Sequence, residues 1–416
     1  MSTLTRWVAM PAAAVAIVTL SGTAFTSAAS ASTTPPPSTS QERVEALVQP
    51  SLAYVAITAS GEVDVPWGDG TTHRYTDKVA ASCSGSVVES DGIILTAGHC
   101  ADPAEYQTEL VDDVFAQLQR QGLTGQLTQQ YAEQNWTVPS APSLSISVLL
   151  TAFASTVADA TALPARILYD EPFTQGDVAL LQIHAPTPLP ALQAAGQNPA
   201  DGTSVITAGY PGSVTDTVDT ANLQPTLTPG QVTSTQTFQN VQFTGISSTL
   251  SPGMSGGPTL DAQGRIVGTN SFQPAGESQQ LNFITSAAEV RRVLADNSVS
   301  DKLTPADQAW RTGLNDYYAG KYREAVQQFN EVLSAIPGER SAQQFKARAI
   351  ADYPLESTGL ATWLLALIAA TATVLAGATG LGLMLRQRRR HALANRVSTA
   401  PIQTPTEAYA GEIPHI

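Results

Sequence analysis

Three short segments hold residue types that can carry out nucleophilic catalysis. Gly253-Met254-Ser255-Gly256-Gly257-Pro258 sets a serine in a glycine-rich turn. Thr96-Ala97-Gly98-His99-Cys100 sets a histidine among small residues, and Gly176-Asp177-Val178-Ala179-Leu180-Leu181 puts an acid at the start of an apolar strand. A serine hydroxyl is a poor nucleophile at neutral pH and needs an adjacent base. His99 can take the proton of Ser255 and return it to a leaving group, while Asp177 holds the imidazole in one tautomer. The N–H groups of Gly253 and Ser255 are placed to receive a developing oxyanion. One such donor is typically worth about 2.7–4 kcal/mol of transition-state stabilisation. Each segment alone is an ordinary turn, but three such turns, each at an apolar strand, point to a shared site.

In their order, His then Asp then Ser, the segments resemble those of trypsin-like serine peptidases of the chymotrypsin fold, and most closely the HtrA/Deg branch. The resemblance runs from about Val44 to Leu294. It takes in Leu47-Val48-Gln49-Pro50-Ser51-Leu52 as a first segment and Ser84-Gly85-Ser86-Val87-Val88 before the histidine turn. Asp261-Ala262-Gln263-Gly264-Arg265-Ile266-Val267-Gly268 resembles the hairpin after the nucleophile, and Leu281-Asn282-Phe283-Ile284-Thr285 the closing strand. The resemblance implies an all-β double barrel, two six-stranded antiparallel barrels with the active site between them. It also implies a disulfide between Cys83 and Cys100, which would contribute on the order of 3 kcal/mol. Two departures stand out: no segment after Leu294 reads as a PDZ domain, and Met254 occupies a position usually held by Asp or Asn.

The same resemblance places Thr249, six residues before the nucleophile, at the base of the substrate pocket, with Ser271 and Phe272 on its wall. Thr249 offers no carboxylate to a substrate Arg or Lys, and Asn270 stands where glutamyl-specific relatives have a histidine. The expectation is a small or medium uncharged residue before the cleaved bond.

Arg6, the apolar run Trp7–Leu20 and Ala29-Ser30-Ala31 read as a signal peptide, residues 1–31. An uncleaved anchor is the alternative. Residues 32–41 read as a Pro/Ser/Thr-rich tether. Leu360 to Leu385 is uncharged and long enough for one transmembrane helix, and Arg386, Arg388, Arg389 and Arg390 follow it. The positive-inside rule then puts residues 386–416 in the cytoplasm and the rest outside, at the cell membrane. A net charge of -14 disfavours nucleic acid as a partner. Five scattered histidines and two cysteines form no metal constellation, so no metal and no cofactor is expected.

Two segments elaborate the expected protease domain, residues 42–300. The first is a helical insertion at about 101–143, with Asp102, Pro103 and Glu105 as its start signal. Leu110, Val111, Val114, Phe115 and Leu118 form its apolar face, a second helical stretch follows over Thr124–Asn135, and Ser145–Ala152 reads as a strand. A lid over the crevice and a packed decoration both fit. The second is a small α-helical module, residues 301–353, in which Gly313, Gly320, Tyr322, Ala325, Phe329 and Pro337 resemble a tetratricopeptide repeat, with a third helix over Ser341–Ala351. Docking, spacing, a peptide partner or a homo-oligomer contact are its open roles. The reading that results is a membrane-anchored extracytoplasmic serine endopeptidase acting on polypeptides. The rival is a catalytically idle protease fold serving as a binding scaffold.

Overall fold

The computed structural model describes residues 38–154, 159–212, 224–238, 240–274, 281–353, 368, 370–371, 373–374 and 377–390. Twelve strands close into two six-stranded antiparallel barrels. The first barrel is made of β1 (Leu52–Pro66), β2 (Thr72–Glu89), β3 (Ile93–Thr96), β4 (Ser143–Leu150), β5 (Leu163–Glu171) and β6 (Val178–Ile183). Its order around the barrel is β1-β2-β3-β6-β5-β4. The second is made of β7 (Ser204–Gly209), β8 (Thr226–Phe238), β9 (Val241–Ile246), β10 (Pro258–Leu260), β11 (Ile266–Phe272) and β12 (Asn282–Thr285), ordered β10-β11-β12-β9-β8-β7.

Burial explains the strand sequences. In β6, Leu181 and Ile183 pack inside the first barrel with Val55, Ile57, Val87, Ile94 and Val148. The alternate residues Val178 and Leu180 join Leu52, Leu95, Ile206, Tyr210 and Leu260 in a second cluster between the barrels. A strand covered on both faces must be apolar at successive positions, and Val-Ala-Leu-Leu is. Each such Leu or Ile contributes about 1.5–3 kcal/mol by its removal from water. Val205, Val232, Ile246, Val267 and Ile284 fill the second barrel.

The hairpin β1–β2 runs well past the barrel wall, in unbroken register from Leu52↔Ser86 to Pro66↔Thr72. Its far half carries a separate small core. Val63 and Val65 meet Leu110, Val111, Val114, Phe115 and Leu118 of α2 (Gln107–Arg120), with Ala132 of α3 (Gln129–Asn135) and Trp136 beside them. The expected apolar face of the insertion is therefore consumed by the hairpin. Details differ from expectation: Asp102 caps a short 3₁₀ turn, Pro103–Tyr106, and the second helix starts only at Gln129, where the Thr128 hydroxyl accepts the Tyr131 N–H. The strand expected over Ser145–Ala152 is β4, and the chain leaves it in a 3₁₀ turn at Thr151–Phe153.

After α4 (Ala287–Asp296), three helices pack together: α5 (Pro305–Tyr318), α6 (Tyr322–Ala335) and α7 (Arg340–Asp352). Trp310, Tyr317, Tyr322, Phe329 and Phe345 form their core. The N-terminal helix α1 (Ser40–Val48) is shared, with Ala46 in that core and Val44 and Val48 in the core between the barrels. Polar bonds fix the docking. The Trp310 indole donates to the Leu47 carbonyl at 3.0 Å, Arg311 to the Gln263 carbonyl at 2.8 Å, and Asp307 accepts the Ala191 N–H at 3.0 Å.

The expected signal peptide, most of the tether and the tail beyond residue 390 lie outside the described residues. So does much of the 360–385 span. Its described residues are helical, and Ile368, Val374, Leu381, Leu383, Met384 and Leu385 are exposed. Among the described residues, no helix is long and apolar enough to cross a membrane.

Candidate active site

His99 sits in a 3₁₀ turn, Gly98–Cys100, directly after β3. Two ties hold that turn. Cys100 forms a disulfide with Cys83 of β2, and the buried Tyr106 hydroxyl donates to the Cys100 carbonyl at 3.0 Å. Both sulfur atoms lie near the His99 ring, but in a disulfide they carry no thiolate for a metal ion. Asp177 precedes β6 in the left-handed region, φ 56°, a conformation Asp tolerates better than most residues. It is fully buried.

The two meet. His99 Nδ1 lies 2.9 Å from Asp177 Oδ1 and 3.1 Å from Oδ2, and the His99 backbone N–H donates to Oδ1 at 2.9 Å. The Ser271 hydroxyl donates to Oδ2. A carboxylate only accepts, so Nδ1 carries the proton and Nε2 presents its lone pair. Burial alone would raise the Asp177 pKa. The charge and hydrogen bond of His99, the Ser271 hydroxyl and the His99 N–H outweigh it and hold the carboxyl below its ordinary value. For His99, burial works against the charged form, but Asp177, by charge and hydrogen bond, and Glu105 by charge outweigh it, so its pKa is raised.

The Ser255 turn, the candidate nucleophile turn, lies between β9 and β10 and is held on two sides. The Ser84 N–H donates to the Ser255 carbonyl at 2.7 Å, and the Gly256 N–H to the Asn270 carbonyl at 2.8 Å. Gly256 has φ +78°, and a Cβ there would lie 2.1 Å from Thr96 Oγ1 and 2.6 Å from the Ala97 nitrogen, so only glycine lets this turn close on the histidine strand. Gly253 has φ +88°. The carbonyl of Pro252 accepts the Gly212 N–H at 2.6 Å. In a planar trans peptide the Gly253 N–H must then point the opposite way. The Ser84 hydroxyl donates to the Gly253 carbonyl at 2.8 Å and accepts the Tyr210 N–H at 2.8 Å, fixing the next peptide. Among the described residues, neither the Gly253 nor the Ser255 N–H has an acceptor. Two unpaired donors flanking a serine can stabilise an oxyanion.

This arrangement coincides with a sequence match: residues 83–268 match the trypsin-like peptidase domain family. The chain carries a trypsin-like peptidase domain. Among solved structures, the chain is similar to the Rv3671c protease from M. tuberculosis in its active form. The two share 18% identity over 65% of this chain and 91% of that one, with a TM-score of 0.39. No curated protein matches the chain.

The expected pocket residues of the peptidase domain fall in three kinds of place. Thr249 is exposed, and its carbonyl accepts the Thr228 hydroxyl at 3.0 Å. The Ser271 hydroxyl is committed to Asp177 rather than presented to a pocket. Phe272 packs within a phenylalanine cluster, 4.8 Å from Phe173, 5.0 Å from Phe283 and 5.3 Å from Phe238 between ring centroids. Asn270 is buried and spent: its amide donates to the Ala208 and Met254 carbonyls and accepts the Thr259 hydroxyl. Met254 itself is buried.

Sequence reasoning missed Ser84, whose backbone and hydroxyl both hold the nucleophile turn, and the cluster beneath Asp177. There Arg292 of α4 reaches both oxygens of the buried Glu171 at 2.5 Å and also pairs with Glu289. Ser84 lies inside the buried run Cys83–Val88 of β2, so position alone did not separate it from a packing residue.

Proposed function

We propose that the chain is a serine endopeptidase that hydrolyses peptide bonds through His99, Asp177 and Ser255. The single observation that carries this is the doubly bonded pair of His99 with the buried Asp177, standing beside a serine turn with two unpaired N–H donors. With Nδ1 held by Asp177, Nε2 takes the proton of Ser255 as its Oγ attacks the substrate carbonyl. The N–H groups of Gly253 and Ser255 receive the oxyanion. The imidazolium then protonates the leaving amine, the acyl–enzyme ester remains, and a water deprotonated by His99 releases the acid and restores Ser255.

The residue before the cleaved bond is small or medium and uncharged: Thr249 supplies no carboxylate, and the Asn270 amide has no hydrogen bond left for a glutamate. The enzyme is exported and held at the cell membrane by a span over 360–385, with its tail in the cytoplasm. The apolar run followed by four arginines, and the Cys83–Cys100 disulfide, which persists in oxidising compartments, support that placement. The helices over 305–352 act as a docked brace, a role supported by their bonds to Leu47, Gln263 and Ala191.

The test is active-site labelling of the purified full chain in detergent with a fluorophosphonate. Labelling lost in both Ser255→Ala and His99→Ala is the expected result. A folded, oxidised chain that takes no label would favour the idle scaffold instead.

A further inference from the structure

Asp177 sits in the left-handed region, φ 56°, and a residue other than glycine keeps that conformation only where its surroundings enforce it. It ends a turn over residues 172–176, in which the Pro172 carbonyl accepts the Gln175 N–H at 2.8 Å and the Asp177 N–H at 3.3 Å. Phe173 anchors one side of this turn, stacked on Phe243 with 5.4 Å between ring centroids. The other side meets carboxylates. A Cβ at Gly176, the residue before Asp177, would lie 2.5 Å from Glu171 Oε2 and 2.7 Å from Glu289 Oε1. Glu171 also abuts the histidine turn through its main chain. A Cβ at Gly98, the residue before His99, would lie 1.7 Å from the Glu171 carbonyl oxygen. One glutamate is thus packed against the residue that precedes each member of the His99–Asp177 pair.

Two carboxylates sharing one small space repel unless a cation joins them. Arg292 of α4 does so. Its Nη2 donates to both oxygens of Glu171 at 2.5 Å and also to Glu289, its Nε donates to Glu289 at 3.1 Å, and its Nη1 to Asp296 at 3.0 Å. The Tyr169 hydroxyl donates to Glu171 as well. Glu289 and Asp296 lie on the same helix as Arg292 and alone would make an ordinary surface pair. Glu171, 121 residues away in sequence, turns the pair into a tie between α4 and the Asp177 turn. The Glu171 side chain is 11% exposed against 40% for Arg292, so the acid is the partner left stranded when the pair is broken. The mount is firm. Val290, Val293 and Leu294 of α4 are buried in the cluster between the barrels, and Arg291 donates to the Ala195 carbonyl at 2.7 Å.

We propose that Arg292 is a positioning residue: by holding Glu171 and Glu289 together against Gly176, it fixes the turn that carries Asp177 and, through Glu171, the turn that carries His99. It touches no reacting group and acts only through these two turns. This rests on the endopeptidase reading above.

The test compares Arg292→Met and Arg292→Lys in the full chain, by steady-state cleavage and by the NMR signal of the His99 Nδ1 proton in protein carrying 15N-labelled histidine. Arg292→Met should lower kcat about ten- to a hundredfold with KM unchanged, the scale of a reacting group displaced by about 1 Å. The Nδ1 proton signal, which reports the bond to Asp177, should weaken or move upfield. Charge and position predict opposite pH effects. The charges that face His99, Asp177 and Glu105, stay in place in both variants. Loss of a nearby cation alone would raise the His99 pKa, whereas a loosened Asp177 lowers it, so the acid limb of the pH–rate profile should move to lower pH. Arg292→Lys should recover most of kcat, because the one nitrogen Nη2 meets both acids and an ammonium can take its place. Gly176→Ala keeps Arg292 but sets a methyl group between the carboxylates, and it should reproduce the loss seen in Arg292→Met. An Nδ1 signal unchanged in Arg292→Met, or an acid limb that stays or moves up, would overturn the proposal and reduce Arg292 to a surface ion pair. A native chain that cleaves no peptide, while its Nδ1 signal still depends on Arg292, would instead bring down the endopeptidase reading and leave the tie standing.

Discussion

Ser84→Ala is the sharpest probe of how the nucleophile turn is held. The Ser84 side chain is 1% exposed, and its hydroxyl makes two bonds of 2.8 Å, accepting the Tyr210 N–H and donating to the Gly253 carbonyl. Alanine deletes both and leaves two main-chain groups without partners. Each net bond is worth about 0.5–1.5 kcal/mol, so the fold should lose about 2 kcal/mol. For a domain of this size that lowers Tm by about 4–8 °C. The effect on catalysis is separate. The Pro252–Gly253 peptide keeps its own bond to Gly212, so the oxyanion donor is loosened rather than lost. kcat should fall about tenfold, less than the about 100-fold or more seen when a donor is removed outright. KM should be unchanged, because the contact that weakens forms only in the transition state. The assay is steady-state cleavage of a short quenched peptide well below Tm, beside thermal melts of the same preparation. A fall in Tm with kcat intact would reduce Ser84 to a packing residue. An unchanged Tm would refute the two hydrogen bonds themselves.

Three further outcomes follow from the site. Because the His99 pKa is raised, the acid limb of kcat/KM against pH should lie above about 6.5, and Glu105→Gln should move it to lower pH, checked by a pH–rate profile. The same shifts set stability. The His99 contribution is present below about 6.5 and lost as pH rises through its raised pKa, whereas that of Asp177 is present above about 3.8 and lost as pH falls through its lowered one. Removing the Cys83–Cys100 bond as Cys83→Ser with Cys100→Ser should cost about 3 kcal/mol in denaturant unfolding and lower fluorophosphonate labelling, since it ties β2 to the histidine turn. Asn270→Ala should cost about 3 kcal/mol in melts, as the amide's three bonds to the Ala208 and Met254 carbonyls and the Thr259 hydroxyl are lost, and should not create cleavage after glutamate in a peptide library.

The candidate site was legible in outline because its signals are local. A histidine in a small-residue turn, an acid opening an apolar strand and a serine among glycines can each be seen within six residues, and the family pattern orders them. The insertion's apolar face was legible for the same reason, as its five residues recur at helical spacing and all five are buried. What they pack on was not. The far half of the hairpin alternates polar and apolar residues like any half-exposed strand, and nothing local says that Val63 and Val65 need a cover supplied by residues 110–118. Ser84 was missed because its role exists only through Gly253, a residue 169 positions away. Ser271 was placed on the correct strand but given a pocket role. Which side of a strand faces Asp177 depends on the register shift between Asn270 and Phe272. The second helix of the insertion began late because the cap at Thr128, not the apolar pattern, sets its start.

Strand β2 unites these features. Within two consecutive residues it supplies the half-cystine that anchors the histidine turn and the serine that grips the Ser255 turn. A regular strand transmits position stiffly along its length, and here the register with β1 is unbroken from the hairpin tip to Ser86. Packing α2 over the hairpin therefore does more than bury its apolar face. It stiffens a strand that would otherwise stand away from the barrel as a two-stranded ribbon, and such ribbons are marginally stable alone. On this account the insertion acts through the strand beneath it rather than as a lid. Truncating a buried contact of α2, for example Phe115→Ala, should cost about 3–5 kcal/mol locally and weaken peptide cleavage. A lid would show the reverse: access would ease, and peptides would be cleaved faster. The direction of the change in kcat/KM in that one variant separates the mechanisms.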